Sequence, residues 1–169
     1  ITPFGKIERL DVAINHKKVK SGDTNRNLRI YNKTKKERTL NAREQYYYSR
    51  ELFDHKKYKQ CVSNLQKLQK MPNVWAENRI ESLNILSQCY QNLGDKEKAL
   101  MYLFQTFKYD TPRANICCKI ADYFYSNQMY EQSVYWYKQA TFAKDVIDKG
   151  GFVEQRFYDY YPYMGCLLY

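Results

Sequence analysis

Large and small residues recur along the middle of this chain in a fixed order. The order large, small, aromatic, small, large is found at Leu86, Ser87, Tyr90, Ala99 and Leu103, and 34 positions later at Ile120, Ala121, Phe124, Ser133 and Tyr137. It also occurs upstream, with an offset of 38 and with leucine in the aromatic position, at Tyr48, Ser49, Leu52, Cys61 and Leu65. The four extra residues fit a turn around Met71-Pro72-Asn73-Val74. Repeated units of this length predict helix pairs that bury their apolar sides by stacking.

A period of about 34 residues is the length of the tetratricopeptide (TPR) repeat. We therefore predict an all-α, TPR-like right-handed superhelix of about three helix pairs, with a TPR domain over residues 42–169. The predicted units are about 42–75, 80–113 and 114–147, with a partial unit at 150–169. The predicted helices are 42–55 and 58–70, 76–92 and 96–109, and 114–127 and 130–145. Within the second unit, Leu93-Gly94-Asp95 predicts a tight turn in which Asp95 caps the next helix.

The two ends of the chain have different patterns. Residues 1–22 predict a short extended segment, and residues 23–41 predict a capping helix and linker. In that helix, expected at 25–36 with Asp23 or Thr24 as N-cap, Leu28, Ile30 and Tyr31 should lie on one side and shield the first unit. After Gly150-Gly151, the aromatic run predicts a truncated C-terminal capping helix. Because the chain starts with Ile and stops within that run, we expect a piece of a longer protein.

The first helix of each pair should line a concave groove, which makes its polar residues the candidate binding site. The candidates are Arg43, Tyr46, Tyr47, Arg50 and Phe53 in unit one, Asn84, Gln88, Gln91 and Asn92 in unit two, and Asn115, Lys119, Asp122 and Tyr125 in unit three. Amide side chains can pair with the backbone of an extended peptide, and the cationic ones can hold carboxylates or phosphates. An equally weighted interpretation is that these residues only face solvent.

The composition of the chain restricts the partners, metal sites and cellular location that we expect for it. The formal net charge is +10, and it is uneven: residues 1–79 sum to +11 and the remaining residues to −1. This asymmetry predicts either an anionic partner or a solvated basic segment. Five cysteines without C-x-x-C spacing and two histidines, His16 and His55, do not predict a zinc site. Cys61, Cys89 and Cys117 fall at packed positions, so we expect free core thiols in a reducing, cytoplasmic setting. No apolar run is long enough for a membrane span.

The sequence shows no D-x-D pair, glycine-rich phosphate loop or Ser/His/Asp arrangement. We therefore expect no catalytic residue and no cofactor in this fragment. The carboxylate clamp of TPR receptors for chaperone tails also finds little counterpart here. The positions that correspond to the clamp residues hold Tyr46, Arg50, Ile85, Asn115 and Lys119. Only Lys119 keeps the charge of the clamp residue that it matches, so capture of a chaperone tail is disfavoured.

Four strings in order carry a family resemblance: Ile14 to Lys33, Ala42 to Leu52, Tyr109 to Phe124, and YEQSVYWYKQA followed by GGF. They resemble bacterial family 2 glycosyltransferases, in which a GT-A catalytic domain precedes a TPR region. The resemblance implies that residues 1–22 are the tail end of a missing catalytic domain or a linker. It implies a nucleotide-sugar and a divalent metal for that domain, with His16 as a candidate metal ligand in the parent enzyme. The groove would then position a protein, peptide or glycan acceptor, and the missing catalytic domain would itself be a partner.

The competing hypothesis is a non-enzymatic TPR scaffold or peptide-sensing regulator, which touches nucleic acid through its basic N-terminal third. The tyrosines lie mainly in repeat columns and are not interleaved with Lys and Arg as in a single-strand reader. Core packing explains them more simply, so nucleic acid is disfavoured as a partner.

Overall fold

A computed structural model describes residue 23, residues 25–143 and residues 153–167 of the chain. Eight α-helices occur in this part, together with 3₁₀ turns at Thr106–Lys108 and Gln155–Phe157, and it contains no strand. The helices are α1 (Arg26–Glu37), α2 (Ala42–Asp54), α3 (Tyr58–Lys70), α4 (Ala76–Asn92), α5 (Lys96–Gln105), α6 (Ala114–Ser126), α7 (Tyr130–Phe142) and α8 (Tyr161–Leu167). The all-α prediction is confirmed. The predicted extended segment, His16 and the Gly150-Gly151 joint lie outside the described residues.

The predicted turn inside the second unit is confirmed. Gly94 has a φ of +86°, a left-handed conformation that glycine adopts without a steric cost. The Asp95 side chain then accepts a hydrogen bond of 3.0 Å from the backbone N–H of Lys98 and caps α5. At the start of α2, Asn41 and Glu44 form a reciprocal capping box. These local signals explain why the observed helix bounds lie close to the predicted ones.

The helix before the first unit differs from its prediction in two details. The N-cap position of α1 is Asn25, not Asp23 or Thr24, although the Asp23 side chain accepts a hydrogen bond from the Asn25 N–H. Leu28 and Tyr31 pack against the core of the first unit, but Ile30 is 47% exposed. Leu28 and Tyr31 are three residues apart and share a helix face, whereas Ile30 lies off that face.

The helices pack as consecutive pairs. Helix α2 lies against α3, α4 against α5 and α6 against α7. Each pair also contacts the next, because α3 and α2 both touch α4, α5 touches α6, and α8 lies on α7. This recurring neighbour pattern is consistent with a helical repeat.

The residues that defined the sequence period form the interior of this stack. The small residues of the repeat are buried in all three pairs: Ser49, Cys61, Ser87, Ala99, Ala121 and Ser133. The large residues at its first and last positions are buried as well: Tyr48, Leu65, Leu86, Leu103, Ile120 and Tyr137. Small residues allow the two helices of a pair to approach, and large ones fill the space between pairs. The predicted burial of Cys61, Cys89 and Cys117 is also confirmed. Burial raises the pKa of the Cys117 thiol to about 12, so it stays protonated at neutral pH.

A buried cluster of ionic side chains joins the second pair to the third. The Arg113 guanidinium donates two parallel hydrogen bonds, of 2.8 and 2.7 Å, to the carboxylate of Glu77 at the start of α4. The same guanidinium donates to Asp110 in the loop that precedes α6, at 2.9 and 3.2 Å. The three side chains are only 10%, 11% and 12% exposed. This arrangement fixes the position of α6 relative to α4, and it was not predicted from the sequence.

Candidate functional site

The first helices α2, α4 and α6 carry a connected row of polar side chains, which we call the first-helix face: Tyr46, Arg50, Glu81, Asn84, Gln88, Lys119 and Asp122. The Lys119 ammonium of α6 donates a hydrogen bond of 2.6 Å to the Asn84 side-chain oxygen of α4. The Asn84 amide nitrogen in turn donates to the Glu81 carboxylate at 3.2 and 3.3 Å. This series of side-chain hydrogen bonds therefore bridges the second and third pairs.

The charges of this row are partly removed from water. Burial raises the pKa of the Glu81 carboxyl and lowers the pKa of the Lys119 ammonium, in each case because it disfavours the charged form. The Asn84 hydrogen bond and the positive charges of Lys119 and Arg50 act in the opposite direction on Glu81. Such partly desolvated, mutually dependent charges respond strongly to any ligand that adds or removes a charge nearby.

Asp122 extends the row to the C-terminal helix. Its carboxylate accepts hydrogen bonds from the Tyr137 hydroxyl of α7 and from the Tyr161 hydroxyl of α8, the latter at 3.1 Å to both oxygens. Burial raises the pKa of Asp122 even though both tyrosines and the charges of Lys119 and Arg156 favour its ionised form. Asp122 therefore holds α8 in place and also faces the space between α4 and α6.

The raised pKa values predict a pH effect on stability. Between the ordinary carboxyl pKa of about 4 and the higher folded values, the folded state binds more protons than the unfolded state. Glu81 and Asp122 therefore contribute stability that is present at low pH and is lost as the pH rises through their folded pKa values. We expect Asp122→Asn to flatten the fall in unfolding free energy with rising pH, and a double variant with Glu81→Gln to flatten it further. Denaturant unfolding at a series of pH values measures this, and an unchanged slope in the double variant would contradict it.

A cavity of about 300 Å³ opens on the first-helix face between the second and third pairs. It is lined by Ser87, Gln88 and Gln91 of α4, Lys96, Ala99, Leu100 and Leu103 of α5, and Lys119, Asp122, Tyr123 and Ser126 of α6. The α5 side chains Ala99, Leu100 and Leu103 form an apolar part, and amide and charged groups surround it. This composition suits an apolar side chain whose flanking backbone is held by hydrogen bonds.

A second cavity, of about 390 Å³, lies where α2 begins and the chain enters α4. It is lined by Ala42, Arg43 and Tyr47 of α2 and by Asn73, Trp75 and Asn78. The guanidinium carbon of Arg43 lies 5.8 Å from the centroid of the Tyr47 ring, in a cation–π contact. We call this cavity the Trp75 shelf.

The structure divides the predicted site residues into separate groups. Gln88, Gln91, Lys119 and Asp122 line the first cavity, and Arg43 and Tyr47 line the Trp75 shelf. Tyr46 is buried, and the guanidinium carbon of Arg50 lies 5.9 Å from the centroid of its ring. Asn84 is 2% exposed, and its side chain forms the hydrogen bonds to Lys119 and Glu81. The remaining four lie apart from both cavities: Phe53 packs against Tyr58, Asn92 donates to the Gln88 carbonyl, Tyr125 contacts Tyr130, and Asn115 is half-buried.

Sequence reasoning missed several residues of these sites, among them Glu81, Trp75, Tyr161, Asn73 and Asn78. Glu81 lies three positions before Asn84, on the same side of α4, so helical spacing could have found it. Trp75 and Tyr161 gave weaker signals in the sequence, because Trp75 follows a turn and Tyr161 lies beyond the last complete unit. Their contribution depends on how separate elements meet, and only the three-dimensional arrangement places them beside the predicted residues.

No protein-family model matches this chain, and neither curated proteins nor solved structures show a match to it. Among the described residues, no helix has both the length and the apolar character needed to cross a membrane. Within the same residues, no three His, Cys, Asp or Glu side chains come together as a metal site would require.

Proposed function

We propose that this chain is a TPR-like interaction module that binds an extended polypeptide segment along its first-helix face. The observation that carries the proposal is the cavity between α4, α5 and α6, because it combines an apolar part with Gln88, Lys119 and Asp122 at its edge. These are three of the residues that the repeat pattern had assigned to a groove. An apolar side chain of the bound segment would enter the cavity, and the glutamines would pair with its backbone.

The resemblance to bacterial family 2 glycosyltransferases supports a more specific form of the proposal. In it, the chain is the C-terminal TPR region of such an enzyme, and a preceding GT-A domain transfers a sugar from a nucleotide-sugar. The first-helix face then positions the polypeptide acceptor for that domain. The use of a TPR superhelix to hold an acceptor is an analogy at the level of the fold.

The binding step is tested with peptides selected by this chain from a random display library. We expect Gln88→Ala with Gln91→Ala to weaken binding of the selected peptides about tenfold, the loss of one to two hydrogen bonds. The matched control removes two exposed glutamine side chains from second helices, Gln60 and Gln132, and should leave binding unchanged. Equal affinities of both double variants would contradict the proposal. Asn84 is unsuitable for this test because its side chain is buried.

The enzymatic form of the proposal needs the parent protein. In that protein we expect the variant of Gln88 and Gln91 to raise KM for the acceptor without changing KM for the nucleotide-sugar, since it removes only acceptor contacts. If this variant binds the selected peptides about tenfold more weakly but its acceptor KM is unchanged, peptide binding is separate from acceptor positioning, and the latter is excluded.

A further inference from the structure

Trp75 is largely exposed and belongs to none of the apolar clusters among the described residues. The preceding Val74 packs against the core of the first unit, whereas Trp75 is 56% exposed at the entry to α4. It makes no capping hydrogen bond to that helix, and within the described residues its ring contacts no other aromatic ring. Burying a ring of this size contributes more than burying almost any other side chain. A tryptophan left in water beside a cavity is therefore typical of a ligand-binding surface.

The side chains around Trp75 are of three chemical kinds. Tyr47 supplies a second, partly exposed aromatic ring, and Arg43 lies over it. Asn73 and Asn78 supply two carboxamides, and Asn73 is held in the left-handed region with a φ of 54°. Among the described residues that line the cavity, the only aliphatic side chain is that of an alanine. The Trp75 shelf thus combines aromatic faces with groups that both donate and accept hydrogen bonds.

This combination matches a sugar ring better than other common ligands. A sugar has an apolar C–H face that can lie on an aromatic ring, and hydroxyls that each donate and accept a hydrogen bond, as a carboxamide does. An apolar side chain would require an aliphatic lining, and a polyanion would require more than one cation. The volume of about 390 Å³ lies near the lower end of the range for small-molecule sites, about 300–1,000 Å³, and has room for one or two sugar rings.

We infer that the Trp75 shelf is a saccharide-binding site, in which Trp75 stacks on the sugar face and Asn73 and Asn78 bind its hydroxyls. Tyr47 and Arg43 of α2 line the same cavity and restrict which sugars fit. This site goes beyond the polypeptide role proposed above and does not depend on it, because the two cavities lie between different pairs of helices.

The sequence offers a direct probe, since it contains two tryptophans, Trp75 and Trp136. Trp136 is half-buried against Phe104 and Phe107, so Trp136→Phe is a mild change that leaves Trp75 as the sole tryptophan emitter. In this variant we expect saccharides to shield Trp75 from acrylamide quenching. The probes are the methyl glycosides of glucose, galactose and N-acetylglucosamine at millimolar concentrations, followed by a glycan array with neutral, amino and acidic sugars.

Substitutions in the otherwise native chain identify the contacts. We expect Trp75→Ala to weaken binding of the best array ligand at least about tenfold, because it removes the stacking surface. Asn78→Asp keeps the shape but loses the amide donors, and should weaken binding by a smaller factor. The matched control is Tyr135→Ala, which removes an equally exposed ring, 56%, from α7 and should leave binding unchanged. For an uncharged sugar, affinity should change little with salt.

Several outcomes would overturn the inference. These are the absence of shielding and of array binding by every saccharide, or unchanged affinity after Trp75→Ala. Shielding by inorganic phosphate that disappears at high salt would instead indicate an anion site, and shielding by aromatic peptides alone would indicate a peptide site. The variant of Gln88 and Gln91 separates the two proposals, because it should weaken peptide binding and leave saccharide binding intact.

Discussion

Replacement of Arg113 by Ala should lower the free energy of unfolding by about 3–5 kcal/mol, because it leaves two carboxylates buried without the cation between them. Arg113 is 10% exposed and pairs with Glu77 and Asp110, which are nearly as buried. The loss should appear in denaturant unfolding as a lower midpoint with little change in slope. Arg113→Lys keeps the charge but cannot form the paired hydrogen bonds to Glu77, so we expect a smaller but still large loss.

The chain contains a matched control for this prediction. Arg38 also donates two hydrogen bonds to a glutamate, Glu44, but these side chains are 54% and 25% exposed. Because water already solvates that pair, Arg38→Ala should cost only about 0–1 kcal/mol. Similar losses for Arg38→Ala and Arg113→Ala would show that burial is not the cause.

A triple variant provides a second check on the same cluster. Arg113→Met, Glu77→Gln and Asp110→Asn together leave no charge in it, so much of the stability lost in Arg113→Ala should return. A triple variant as unstable as Arg113→Ala would contradict this account and indicate that the shape of the guanidinium, not the charge balance, holds α6 against α4.

Gly165→Ala should destabilise the protein by about 1–3 kcal/mol, as overpacking of a well-packed site does. A Cβ atom added at Gly165 would lie 2.5 Å from a carbon of the Tyr137 ring, well inside contact distance. That ring is buried between α7 and α8, and its hydroxyl is fixed by Asp122, so it cannot turn away freely. Helix α8 should therefore lift from α7, and hydrogen exchange of its amides should speed up.

The expected sign of the stability change makes the Gly165→Ala prediction specific. In an unobstructed helix interior, replacing Gly by Ala stabilises the helix by about 1 kcal/mol. A stabilising effect of Gly165→Ala would thus contradict close packing of α8 on Tyr137. The double variant with Tyr137→Leu is the control, since without the ring Gly165→Ala should cost much less than it does in the native chain.

Gly94 differs from Gly165, because its backbone conformation and not its packing opposes replacement by alanine. A Cβ at that position would meet no atom within 4 Å, but the φ of +86° is strained for alanine. We expect a loss of about 1 kcal/mol from the backbone alone, with no change in the packing of neighbouring helices. Hydrogen exchange should therefore change at the α4–α5 turn and not in α8.

The sequence by itself determined the number, the order and nearly the bounds of the helix pairs. Small residues such as Ser87 and Ala121 had to be buried where two helices meet, and Gly94 with Asp95 had to form a turn, because these are local consequences of residue size and backbone freedom. The same reasoning assigned Gln88, Lys119 and Asp122 to one face. Their spacing along α4 and α6 was sufficient for that assignment.

Only the tertiary structure decided which polar residues remain available to a ligand. Asn84 and Gln88 share a face of α4, yet Asn84 is bound by Lys119 while Gln88 borders a cavity. Trp75 and Tyr47 meet at one cavity although Tyr47 lies in α2 and Trp75 lies just before α4. Helical periodicity fixes the direction in which a side chain leaves its own helix. The burial and the charge balance of that side chain depend on which residues a neighbouring helix places opposite it. Those residues are distant in the sequence, so local patterns do not reveal them.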